Sequence, residues 1–188
     1  MFEKLIDDDL KIRLAVESDY AAYVDLIHGE IIRSATNGEG LEQAQAIAMS
    51  STSGNVEVVK QRKGRLAFAI LYRGELAGTI GCGGNEDDWQ HRRATIGYML
   101  HPQYRGQGIV TRALRAVLDI VYPEVGFDRI QITCDVDHIK SKAVAERVGF
   151  TLEGIRRHAR WDGDHPVDYC VFSMLADEWL ATSKDRAK

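Results

Sequence analysis

The segment Gln103-Tyr104-Arg105-Gly106-Gln107-Gly108-Ile109-Val110-Thr111 separates a strand-like run from an amphipathic one, and it restricts the fold more than any other stretch of the chain. Glycines at i and i+2 let the backbone turn sharply and bring N–H groups against a ligand with no Cβ in the way. Beyond them, Ile109, Val110, Ala113, Leu114, Val117, Leu118 and Val121 recur at helical spacing, which predicts an amphipathic helix of about four turns. The N–H groups that open such a helix lack intrahelical partners and sit at the positive end of its dipole, so the turn can cradle a phosphate. Arg105 adds a fixed positive charge and Thr111 a hydroxyl on the same rim. A strand-to-helix glycine turn without a ligand is the competing reading, because Gly-x-Gly turns are common. Spacing removes two nucleotide alternatives. There is no Gly-x-x-x-x-Gly-Lys-Ser/Thr, and Thr111 stands where a dinucleotide fingerprint has its third glycine. A dinucleotide fold would also place the turn after its first strand, whereas several strand-like runs precede it here.

Those runs are read from period-2 alternation and turn residues. Leu10 to Leu14 alternates apolar and polar residues and is expected to be the first strand. Ser18-Asp19 offers an N-cap to a helix carrying Tyr20, Tyr23, Val24, Ile27 and Ile31 on one face. Leu41 to Met49 reads as helical, and Ser50 to Asn55 as an interruption. Leu66 to Tyr72 and Glu75 to Cys82 read as strands of a hairpin turning at Arg73-Gly74. Gly83 to Asp88 reads as a polar loop, and Arg92 to Leu100 as a strand ended by Pro102. Arg129 to Val136 is a further strand, and Ser141 to Val148 a short helix closed by Gly149. Thr151 to Trp161 and Pro166 to Leu175 form a last hairpin around Asp162-Gly163-Asp164-His165. The result is one mixed α/β domain spanning 1–188, without repeats or a linker.

Composition narrows the class. With 24 Lys+Arg against 28 Asp+Glu the net charge is −4, which argues against a dedicated nucleic-acid binder. The acidic start Met1 to Asp9 has no apolar h-region, and no run approaches the roughly 20 apolar residues of a membrane span, so the expected compartment is the cytoplasm. Cys82, Cys134 and Cys170 are odd in number and far apart, which fits buried, reduced strand residues better than disulfides or a zinc site. His158, Asp162, Asp164, His165 and Asp168 lie where hairpin turns are ordinarily rich in Asp, and no metal is expected there. Trp89, Trp161 and Trp179 read as packing residues or pocket walls.

Gln103-Tyr104-Arg105-Gly106-Gln107-Gly108 resembles the acetyl-CoA motif Gln/Arg-x-x-Gly-x-Gly/Ala of the GNAT N-acetyltransferases. Ala94 to Leu100 before it, and then Ser141 to Phe150, Glu153-Gly154 and Tyr169 to Leu175, resemble the branch that acetylates the N-terminal amine of ribosomal proteins. The likeness runs from Leu10 to about Trp179. It implies an α+β fold with a mixed, mostly antiparallel central sheet, splayed at the acetyl-CoA site and flanked by helices. It implies acetyl-CoA as co-substrate, held by backbone near Tyr98, Met99 and Leu100 and by the N–H groups of Arg105, Gly106, Gln107, Gly108, Ile109 and Val110, with Thr111 beside them. A backbone N–H near Met99 would face the thioester carbonyl as an oxyanion donor. His138 stands where the branch usually has Asn against CoA. Ser141 would act as acid or orienter for the departing thiolate, with a helix N-cap as its other reading. Transfer would be direct, in a ternary complex, with Cys134 not required as nucleophile. The branch often dimerises, which leaves a homodimer open.

Two positions depart from the pattern. Thr95 and Arg160 stand where the branch often carries Glu, the second being the position of the base in the ribosomal-protein enzymes. At pH 7 an α-amine of pKa about 7.7 is roughly one-sixth neutral, and a lysine of pKa about 10.4 is neutral in roughly 1 of 2,500 molecules. An acceptor with an α-amine, as at a peptide or protein N-terminus, therefore needs a base far less. Water, Asp162, Asp168 or Glu153 could relay the proton. Arg156, His158 and Arg160 would share a strand face, either solvated or receiving an acidic acceptor. The rival readings are a catalytically reduced acyl-CoA-binding or sensing module and an acetyltransferase for a small-molecule amine. The acceptor would be shaped by Arg33 to Gly64 and Gly83 to Gln90.

Overall fold

The structure, a computed structural model, describes residues 3–19, 64–84 and 86–186. The helices expected on Tyr20 to Ile31 and Leu41 to Met49, and the interruption at Ser50 to Asn55, lie outside the described residues. The strands are β1 (Glu3–Leu5), β2 (Leu10–Leu14), β3 (Leu66–Tyr72), β4 (Glu75–Gly83), β5 (Arg93–Leu100), β6 (Arg129–Asp135), β7 (Thr151–Asp162) and β8 (His165–Leu175). The helices are α1 (Glu86–Gln90), α2 (Ile109–Ile120), α3 (Ile139–Val148) and α4 (Ala176–Arg186). All eight strands form one sheet in the order β1-β2-β3-β4-β5-β6-β8-β7. Among these strands only β5 and β6 run parallel, joined through α2, so the sheet is mixed and mostly antiparallel.

Strand β3 is buried along its whole length, which is why it reads as a continuous apolar run rather than an alternation. Its hairpin to β4 turns on Arg73 and Gly74, both at positive φ (52° and 85°), the geometry that matches the twist of the flanking strands. Strand β1 is not legible in the sequence, since three residues give too little alternation to be seen. The acidic run after it has a structural use: the Asp7 carboxylate accepts from the N–H groups of Asp9 and Leu10 at 3.1 and 3.0 Å, closing the turn into β2. The stretch expected as a polar loop from Gly83 to Asp88 contains the start of the one-turn helix α1.

Beyond β2, Asp19 is held by an ion pair. Its carboxylate takes two 2.6 Å bonds from the Arg13 guanidinium and one of 2.9 Å from the Val16 N–H, and the residue is 8% exposed. Burial by itself would raise this carboxyl, but Arg13 and the Val16 N–H outweigh it and hold it below its ordinary value. The resulting stabilisation is complete above the pKa of the unfolded carboxyl and is lost as pH falls through the depressed, folded one. Removing the carboxylate breaks both Arg13 bonds and the Val16 bond, so Asp19→Ala is expected to cost about 3–5 kcal/mol in denaturant unfolding at pH 7. The deficit should narrow below pH 4. A full-sized deficit at low pH would show that lost packing, not the ion pair, is responsible.

On one face of the sheet Ala94, Ile96, Ile130 and Ile132 pack against Ala113, Leu114 and Val117 of α2, all nearly fully buried. Alternation puts Arg93, Thr95, Gly97 and Met99 on the opposite face. Trp179 is buried and donates to Asp119 at 3.0 Å, and Trp89 packs on Phe127 with ring centroids 4.8 Å apart. Trp161 differs from the expected packing role, being 64% exposed. The three cysteines are free, buried and on strands.

Two expectations need correction. Helix α3 starts at Ile139 with His138 at its N-cap, so Ser141 lies within the first turn and does not cap it. The run Arg156, His158, Arg160 does not share a regular face. Four steps from Arg156 to Arg160 oppose two from Tyr169 to Val167, and His158 leaves the ladder at φ 50° with its N–H donated to Asp168.

Candidate active site

The glycine turn is built from both sides. The 3-10 turn Pro102–Tyr104 is pinned by the Tyr104 hydroxyl, which donates to Glu75 at 2.5 Å, and by the Tyr72 ring at 5.8 Å. Gly106 and Gly108 then adopt φ of 77° and 69°, and a Cβ placed on either would meet nothing within 4 Å. The glycines are therefore set by backbone conformation, and the space beside them is open. Gly108 is the N-cap of α2 and makes no side-chain cap bond. The Arg112 N–H donates to the Gly108 carbonyl at 3.1 Å, which puts the N–H groups of Ile109, Val110 and Thr111 ahead of the helical ladder. The polarity needed for an anion cradle is present, and among the described residues nothing fills the space beside the two glycines.

Beside this turn the two parallel strands separate. Strand β5 pairs with β6 only at Arg93, Ala94 and Thr95, opposite Arg129, Ile130 and Gln131. Past that point β5 stays with β4 and β6 with β8, so Ile96 to Leu100 and Ile132 to Asp135 diverge. Tyr98, Met99 and Leu100 lie on the separated edge. A diphosphate and an extended amide-bearing arm would find an open cradle and an unpaired strand edge next to each other, so the residues present fit acetyl-CoA.

The wedge is spanned by side chains. Ser141, 7% exposed, sets its Oγ 2.8 Å from the Tyr98 hydroxyl, which also lies 3.3 Å from the Ser141 carbonyl. Burial pushes the Tyr98 phenol up to about 12, against the opposing effect of the Ser141 bond. The phenol therefore keeps its proton at neutral pH and can hold the serine hydroxyl in one orientation. The sequence points to Tyr98 only for its backbone; the contact arises from the approach of α3 to β5, which no local spacing reveals. Cys134 lies on the same part of β6. Its thiol is pushed up by burial, with Cys170 and the Asp135 carboxylate adding to the effect and Ser141 and Lys142 opposing it. It is protonated at neutral pH and poorly suited to be a nucleophile. His138, at the α3 N-cap, is exposed.

The carboxylates considered as proton relays are already engaged. Glu153 receives both terminal nitrogens of Arg129 at 2.5 Å and the Ser173 hydroxyl at 2.8 Å. The Arg129 bonds, then the Ser173 bond, pull its carboxyl down to about 2, leaving it a weak base. Asp168 is occupied by the His158 N–H, and Asp162 lies 3.6 Å from Arg160, which donates to Asp135 at 2.9 Å. Thr95 accepts from Gln131 at 3.3 Å. A cavity of about 290 Å³ opens beside it, lined by Asp88, Arg93, Ala94, Thr95, Arg129 and Gln131. Among the described residues no group of three His, Cys, Asp or Glu converges as a metal site, and no helix is long and apolar enough to cross a membrane.

Comparison with known proteins gives one consistent answer. A family model for the acetyltransferase (GNAT) domain matches residues 9–151. The ribosomal-protein-serine acetyltransferase of Escherichia coli (strain K12) is 28% identical over 174 residues, 92% of this chain and 96% of that protein. YdaF of Bacillus subtilis (strain 168) is 34% identical over 110 residues, covering 58% of this chain and 59% of that protein. The solved structure of RimL, the ribosomal L7/L12 α-N-protein acetyltransferase, in complex with coenzyme A has a TM-score of 0.78 at 25% identity, covering 94% of this chain and 99% of that one. The family match runs from the residue before β2 to the first residue of β7. It thus contains the glycine turn and both edges of the wedge, and the chain belongs to the GNAT family as an acetyltransferase.

Proposed function

We propose that this chain, a single N-acetyltransferase domain over 1–188, moves an acetyl group from acetyl-CoA to the α-amine of a peptide or protein N-terminus. The observation that carries the reading is the separation of β5 from β6 directly beside the open glycine cradle. The N–H groups from Arg105 to Val110 hold the diphosphate, with Arg105, Thr111 and His138 beside it. The β5 edge at Tyr98, Met99 and Leu100 takes the extended arm. Bound acetyl-CoA supplies the activated acyl group. A β5 backbone N–H near Met99 stabilises charge on the acyl oxygen. Ser141 holds a proton for the departing sulfur, its hydroxyl aimed by Tyr98. In the RimL complex, coenzyme A forms a disulfide with a cysteine of that protein. Cys134, on the diverging part of β6, supports a sulfur position at this end of the wedge.

Among the described residues, the carboxylates considered as bases are engaged, and this favours an acceptor that needs none. Thr95 and Arg160 carry no carboxylate, and Glu153, Asp162 and Asp168 are tied into bonds, which favours an amine that arrives largely neutral or loses its proton to water. An α-amine does so near neutral pH and a lysine does not. With acceptors matched in length, peptide α-amines should exceed lysine side chains and polyamines in kcat/KM at pH 7. The α-amine rate should rise with pH and level off near 8, where the acceptor itself is deprotonated. Superior lysine or polyamine turnover at pH 7 would refute the assignment. CoA release with none of these amines, from protein that still binds acetyl-CoA, would favour the sensing module.

A further inference from the structure

We propose that Arg65 is a specificity residue, and that the acceptor presents a carboxylate to it a short distance from the reacting amine; this rests on the acetyltransferase reading above. Arg65 lies just before β3, and its side chain crosses β4 and β5. A Cβ on Gly81 would meet its Nε at 2.6 Å and its Nη2 at 2.9 Å, one on Gly97 would meet Nη2 at 3.5 Å, and one on Gly83 would meet its Cα at 2.8 Å. Gly81 and Gly97 are direct cross-strand partners. Glycine in a strand interior weakens the sheet and marks a close approach of other groups. Here paired glycines form a trough that the guanidinium fills.

Among the described residues, nothing neutralises the charge in this trough. The guanidinium donates from Nη2 to the Gly81 carbonyl at 3.2 Å, while Nε is buried without a partner. Among the described residues no carboxylate pairs with it. Arg129, Arg160 and Arg93 on neighbouring strands each have one, namely Glu153, Asp135 and Asp88. Buried charges are ordinarily paired, because desolvation is costly and burial of Arg65 already disfavours its charged form. An anion brought by a ligand would form charge-assisted hydrogen bonds to it.

The location makes that ligand the acceptor. Gly97 is exposed and shares a face with Met99, two residues along β5, a separation of roughly 7 Å. That face is opposite α2 and α3, so it is the side from which an amine would approach the acyl group. The α-carboxylate of a free amino acid is too near its own amine to span the gap. A Glu or Asp side chain at the first or second residue of a peptide can reach.

The test compares twin peptides, Glu against Gln and Asp against Asn at the first two positions, with free glutamate and glutamine as small-molecule acceptors. For the unaltered chain, kcat/KM should favour the acidic twin by at least about 10-fold, since one charge-assisted contact in a desolvated site supplies about 1.4 kcal/mol or more. In Arg65→Gln the ratio should fall to near one, and in Arg65→Lys it should lie between. Preference confined to the free amino acids would keep the carboxylate contact and move its source to a small acid. Equal rates with the unaltered chain both for the peptide twins and for free glutamate against glutamine overturn the proposal, as does a ratio that survives in Arg65→Gln. Acetylation of no acceptor would instead remove the acetyltransferase reading, and the inference with it.

Discussion

Gly108→Val is expected to weaken acetyl-CoA binding by about 100-fold or more, close to 3 kcal/mol, while the protein stays folded. Gly108 holds φ 69°, and a Cβ there touches no protein atom within 4 Å. The fold therefore bears only the left-handed backbone penalty, about 1–2 kcal/mol, or roughly 2–8 °C in Tm for a chain of this size. The ligand bears the rest, because the new side chain stands over the N–H groups of Ile109, Val110 and Thr111 where a diphosphate must come close. Titration of acetyl-CoA, with a melting curve alongside, separates the two effects. Unchanged affinity in a folded variant would mean that this turn does not hold the diphosphate.

Ser141→Ala should act on a different quantity. Loss of a positioned proton donor typically costs 10²–10⁴-fold, so kcat should drop by about 100-fold with little change in the KM for acetyl-CoA. Structural damage should be small, since the Tyr98 hydroxyl keeps the carbonyl of residue 141 as a partner at 3.3 Å. Tyr98→Phe should lower kcat by a smaller factor, about 10-fold, because it frees the serine hydroxyl without removing it. If Ser141→Ala keeps its full kcat, the serine has no role in releasing the thiolate. A raised KM with unchanged kcat would make it a binding contact only.

The contrast between these sites shows what the sequence can reveal. The glycine turn is local: its function follows from φ, from missing Cβ atoms and from the helix that comes next, all of which are written in nine consecutive residues. The β3–β4 and β7–β8 hairpins are legible for the same reason, through Arg73-Gly74 and Asp162-Gly163. The contact of Ser141 with Tyr98 is not local, because it depends on how α3 returns to β5 across 43 positions. Alternation misplaces His158 because the bulge between Arg156 and Arg160 inserts residues that no hydrophobic pattern marks. Arg65 reads in the sequence as one more charged residue ahead of a strand. Only the pairing of Gly81 with Gly97 gives it a trough, and register cannot be read from either strand alone. Thr95 and Arg160 are visible as departures, but not that Glu153 is bound by Arg129 and Ser173.

The central claim is that the cradle and the diverging strands serve direct acetyl transfer to an amine. The most direct measurement is the release of CoA thiol by the purified chain, with acetyl-CoA saturating and an N-terminal peptide varied, and with the mass of both peptide and protein followed. The account predicts release that depends on the peptide, a gain of one acetyl group on its α-amine for each CoA formed, and no acetylated protein in its absence. CoA release that ignores the peptide, or an acetyl group accumulating on the protein itself, would contradict it.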